Sequence, residues 1–78
     1  MLALFVIYKR PTDFPHSYVL RRQVVQSDGA IARDPLPLAV ELATPGGLRR
    51  VRAALPAGLT QIQGPGDDPD ANIYEVWF

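Results

Sequence analysis

Residues 2–8, LALFVIY, are apolar at both sets of alternating positions: Leu2, Leu4, Val6 and Tyr8 on one side, Ala3, Phe5 and Ile7 on the other. β-branched and aromatic side chains are frequent in this run, so it reads as a strand. A strand that is apolar on both faces needs cover on both, which predicts a central place in a sheet. The run is far shorter than the roughly 20 residues a membrane-spanning helix needs. It has no basic segment before it and no small-residue cleavage site after it, so it does not read as a signal peptide.

The chain must support that strand with very little material. Its 78 residues amount to a single domain, 1–78, and a domain this small buries only about 60% of its unfolded surface. There is no cysteine and only one histidine, so neither a disulfide nor a thiolate metal site can brace it. Packing of the 47% apolar residues has to hold the fold.

The remaining elements follow from local signals. Residues 9–16 form a loop, because Pro11 and Pro15 lack ladder hydrogens; Phe14, between them, is expected to fold back as a hydrophobic lid. Residues 17–26 read as a second strand, with neither face cleanly apolar. Asp28-Gly29 marks a turn, and Ala30–Arg33 a short edge strand. Pro35 and Pro37 interrupt any ladder, and Leu38–Leu42 is an extended lead into a helix. Thr44-Pro45 supplies an N-cap and a first-turn proline. Leu48, Val51 and Leu55 form one apolar stripe, and Pro56 and Gly58 end the helix. Gly46 and Gly47 predict a loose first turn. Leu59–Gln63 is a short strand, Gly64–Ala71 an acidic loop, and Asn72–Phe78 a last strand. The last strand alternates Tyr74, Val76 and Phe78 against Ile73, Glu75 and Trp77. The order ββ(β)αββ predicts an α+β domain: one antiparallel sheet of three to five strands with a single short helix packed across it. The last strand is expected beside the first; the other arrangement leaves it as an edge that pairs with a second copy.

Several segments carry a resemblance. Tyr8–Pro15 (YKRPTDFP), Tyr18–Arg22 (YVLRR), Leu48–Leu59 (LRRVRAALPAGL), Asp67-Asp68-Pro69 and Glu75–Phe78 (EVWF) together resemble a group of small uncharacterised bacterial proteins of about this length. The resemblance implies a shared fold and attaches no activity. It departs at the helix start, where that group has acidic residues and this chain has Arg49 and Arg50.

The formal net charge is zero, so no global field points to nucleic acid or an anionic membrane. All eight basic residues lie in 1–56, and residues 57–78 hold four acids and no base. Seven arginines to one lysine, with abundant Ala, Pro and Gly, suit a GC-rich bacterial genome. The missing cysteines fit a cytoplasmic location.

Candidate chemistry is sparse. Gly46-Gly47 lacks the Lys-Ser/Thr continuation of a phosphate loop and reads as the helix entry. Asp13, His16 and Ser17 could be assembled as a carboxylate, base and nucleophile, but a turn, with Asp13 on local amides and His16 in solvent, is simpler. Asp67, Asp68 and Asp70 lack the spacing and distal glutamate of a calcium loop, and read as a solvated acidic loop. Glu75 is either exposed or paired across strands with Arg21 or Arg22.

These features predict a binding or accessory module that acts through protein contacts, without a cofactor, metal or membrane. Its candidate surface is Lys9, Arg10 and His16 of the first loop with Arg49, Arg50 and Arg52 of the helix. The partner is another protein or a second copy of the chain. A nucleic-acid binder using the arginines is the alternative, and a small enzyme using His16 or a carboxylate is the third reading.

Overall fold

The computed structural model describes residues 2–34, 36–63 and 73–78. In chain order these form β1 (Leu2–Lys9), β2 (Ser17–Val25), β3 (Ile31–Arg33), β4 (Ala39–Leu42), α1 (Pro45–Ala53), β5 (Gln61–Gln63) and β6 (Ile73–Trp77). The strands make one antiparallel sheet in the order β3-β2-β1-β6-β5, with β4 also paired to β2. The architecture is therefore α+β, one antiparallel sheet with one helix packed on it. The sixth strand is β4, drawn from the run that the sequence gives only as a lead into the helix.

The doubly apolar run becomes β1, flanked by β2 and β6 as its pattern requires. The last strand is interior, between β1 and β5. Strands β3 and β4 lie end to end along one side of β2: Val25 pairs with Ile31 at one end, and Ser17 with Leu42 at the other. The break between them covers the segment where the sequence places Pro35 and Pro37. At Gly29 the backbone takes φ 85°, a left-handed conformation that glycine adopts without steric penalty. The Asp28 carboxylate accepts from Ala30 N–H beside it.

Each face of the sheet has its own core. On the helix face, Ile7, Tyr18, Leu20 and Val51 are buried, with Phe5, Leu48, Leu55 and Tyr74 packed around them. The expected stripe of Leu48, Val51 and Leu55 is thus the contact face of α1. On the other face, Val6, Tyr8, Val19 and Val76 are buried, with Leu4, Phe14 and Ile73 against them. Phe14 is the lid that its place between two prolines suggests. Gln23 is buried on this face and donates to the Tyr8 hydroxyl.

Two local expectations are corrected. A β-bulge in β6 lies opposite Ile7 and Tyr8. It brings Tyr74 and Glu75 to the helix face together, and groups Ile73 with Val76 on the other, so strict alternation fails there. The helix entry is not loose. Thr44 caps α1, accepting from Gly47 N–H at 3.0 Å, and Gly47 is buried. A Cβ on Gly47 would stand 1.7 Å from the Leu42 carbonyl oxygen, so glycine is what lets the helix start against β4.

Candidate functional site

The structure divides the basic residues among separate, mostly committed positions. Lys9, at the end of β1, places its ammonium over the Tyr74 ring, 5.5 Å from the centroid. Arg10 turns the chain out of β1 with φ 53°, and its N–H donates to Ser17 C=O at 2.7 Å. The His16 side chain is exposed, and its carbonyl accepts from Ala43 N–H at 3.0 Å. On the helix, Arg50 Nε donates to Glu41 at 2.7 Å and Arg52 grips Glu75 through two nitrogens. Arg21 bonds Asp13 at 2.6 Å and Arg22 lies 3.9 Å from Asp34. Among the described residues, four of the seven arginines thus have carboxylate partners.

Two carboxylates differ from the sequence expectation. Glu75 is not cross-paired with Arg21 or Arg22, because β1 intervenes between β2 and β6. It is fully buried under the helix, where Arg52 and the Trp77 indole N–H, at 3.0 Å, satisfy it. Ion pairing with Glu75 raises the Arg52 pKa further, against the opposing effect of burial. Asp13 serves Arg21 rather than local amides, and does not orient His16. Asp67, Asp68 and Asp70 lie outside the described residues. Among the described residues, no three His, Asp or Glu side chains converge to hold a metal, and no helix is long and apolar enough to cross a membrane.

A cleft of about 340 Å³ opens where the first loop meets β2 and the end of β3. Tyr8, Pro11, Asp13, Arg21, Arg33 and Asp34 line it. Its two arginines and two aspartates balance, so it carries no single-sign field for a charged substrate.

The more distinctive feature is β4. Along this edge strand, Ala39 and Glu41 are half-buried, whereas Val40 and Leu42 are exposed, at 37% and 61%. The usual order is inverted: the acid faces the helix and the apolar residues face outward. Val40 is paired with the fully buried Val19 and Leu42 with Ser17, so both continue the sheet face opposite the helix. Leu38, Leu36 and Ile31, upstream on the same side of β2, are also exposed.

Among the described residues, no strand pairs with the outer side of β4. Ala43 N–H donates to His16 C=O, in register with the Leu42–Ser17 pair. Antiparallel pairs alternate between hydrogen-bonded and non-hydrogen-bonded. Residues 39, 41 and 43 therefore turn their peptide groups toward β2, and Val40 and Leu42 turn theirs outward. Leu38 N–H donates to Leu20 C=O at 2.8 Å although Leu20 is paired with Ala39, so the chain bends at Leu38. The open edge is a four-residue segment bounded by that bend and by the start of α1. The period-two alternation of Leu38, Val40 and Leu42 was the sequence signal for it, masked by the flanking prolines. No protein-family model, curated protein or solved structure matches this chain.

Proposed function

We propose that this chain is a protein-binding module that accepts an extended segment along the β4 edge. The observation that carries the reading is the inverted pattern of β4. Natural sheets guard their edges with outward charges, prolines, bulges, inward-pointing charges or shortness, and β4 relies on the last two. The one charge on β4, Glu41, is turned inward to Arg50, and the outward positions carry Val40 and Leu42. An added strand would take main-chain hydrogen bonds for affinity and the apolar side chains for selectivity. The opposite edge, Gln61–Gln63, is shorter and, apart from Ile62, polar. The arginine surface on the first loop and helix is the weaker candidate, since Arg50 and Arg52 are held in ion pairs. The cysteine-free, arginine-rich composition supports a bacterial cytoplasmic setting.

The test is to pan a random peptide-display library against the wild type and against Val40→Pro. Proline removes an outward N–H without touching the β2 ladder. Enrichment of alternating apolar peptides that is lost in Val40→Pro supports the edge. Enrichment that survives Val40→Pro but is lost in Arg49→Glu moves the site to the helix, and no enrichment at protein concentrations where the chain is monomeric counts against a peptide-binding module.

A further inference from the structure

We infer that the segment received at this edge is β4 of a second copy, paired antiparallel about a two-fold axis through Val40. The inference rests on reading β4 as the binding edge, and its support is the edge's match to itself. A two-fold contact is isologous, so each residue must suit its symmetry mate. With the axis at Val40, Val40 faces Val40 of the partner, and Ala39 faces Glu41 in both directions. Shifting the axis to Glu41 would set two carboxylates opposite each other, which is unfavourable. Shifting it to Leu42 would drive the partner strand into the entry of α1, where Gly47 already sits on the Leu42 carbonyl.

The hydrogen-bonding groups agree with the same axis. The outward N–H and C=O of Val40 meet those of its mate, giving a reciprocal pair at the centre. Leu42 C=O accepts from its own Thr44 N–H at 2.8 Å, and Leu38 N–H is taken by Leu20. These two groups would face each other across the contact, and each is already satisfied within its own chain. A different strand that presented a free N–H opposite Leu42 would find an occupied carbonyl. The open edge is four residues long, bounded by the bend at Leu38 and by the start of α1, so its length fits its own mate. The contact brings Leu42 of one copy beside Leu38 of the other, which adds apolar cover at both margins.

The chain lacks cysteine, so single-cysteine variants report the contact directly. Across a hydrogen-bonded antiparallel pair the Cα atoms lie about 5.5 Å apart, within disulfide range. Under mild oxidation, Val40→Cys should form a covalent dimer about tenfold or more faster than Ile62→Cys, an exposed control on the other edge. A mixture of Ala39→Cys and Glu41→Cys should cross-link between the two variants in preference to within either. Sedimentation of the wild type should show a dimer that Val40→Pro abolishes. Equal rates for Val40→Cys and Ile62→Cys with a monomeric wild type would overturn the dimer. The edge reading would then stand only if peptide enrichment still depended on Val40, so the two failures are distinguishable.

Discussion

Arg52 on α1 and Glu75 on β6 form a two-nitrogen, two-oxygen ion pair across 23 residues of chain, with Arg52 Nε 3.1 Å from Glu75 Oε1. The partners differ sharply in exposure: the Glu75 side chain is at 0% and that of Arg52 at 40%. The pair therefore works as a lid of charge over a buried carboxylate, joining the helix to an interior strand.

Removing the lid alone should be costly. Among the described residues, Arg52→Met leaves Glu75 with the Trp77 N–H alone, and breaking a buried pair on one side costs about 3–5 kcal/mol. Water admitted by the exposed Arg52 position argues for the lower end. The double variant Arg52→Met/Glu75→Leu removes both charges and should recover most of the loss. Urea denaturation of the four-member cycle measures this. An Arg52→Met loss below about 0.5 kcal/mol would equate the pair with a surface contact.

The two glycines at the helix entry should respond oppositely to alanine. At Gly47 the added Cβ meets the Leu42 carbonyl oxygen at 1.7 Å, and backbone cannot swing aside as a side chain can. Gly47→Ala should destabilise by about 3 kcal/mol, the upper end for overpacking. At Gly46 the nearest atom is the Arg50 guanidinium tip, 3.5 Å away. Gly46→Ala should stabilise by about 0.5–1 kcal/mol through helix propensity. Thermal melts of both variants decide it, and equal signs would refute the assigned contact.

That pair of glycines shows where sequence reading stops. The central strand, the Thr44 cap, the stripe of Leu48, Val51 and Leu55, and the Phe14 lid were legible, because each follows from a local pattern. The sequence marked Gly46 and Gly47 alike as helix-weakening; only the approach of β4 separates them. The Glu75–Arg52 pair was invisible for the same reason, since the bulge at Tyr74 and the crossing of α1 are long-range facts. On β4, two prolines hid an alternation that was present in the residues themselves. Composition could place seven arginines but not their carboxylate partners, so the charge surface looked freer than it is.

Tyr18 should make stability fall at alkaline pH. Burial raises its phenol above the usual value near 10, reinforced by neighbouring Tyr74, whose ring centroid lies 5.4 Å away. The folded state therefore holds the Tyr18 proton more tightly than the unfolded state. Stability is fully present below pH ~10 and declines as pH rises from there through the folded-state value. A spectrophotometric titration should find a tyrosine that ionises late. Tyr18→Phe should flatten the alkaline part of the stability profile, and an unchanged slope would assign it to other groups.

The apolar residues of the β4 side should matter little to folding, which separates an interface from a core. Leu36 is 76% exposed and Leu42 nearly as open, so neither loses much buried area when made polar. Leu36→Ser and Leu42→Ser should each shift unfolding free energy by no more than about 0.5 kcal/mol, whereas truncating buried Leu20 to alanine should cost about 2–5 kcal/mol. Denaturant titrations should be run at low protein concentration, where association cannot add stability by mass action. At high concentration the wild type should gain stability that Leu42→Ser does not. A core-sized loss in the serine variants at low concentration would mean that these side chains hold the fold itself, and the outward face of β4 would lose its claim as a binding edge.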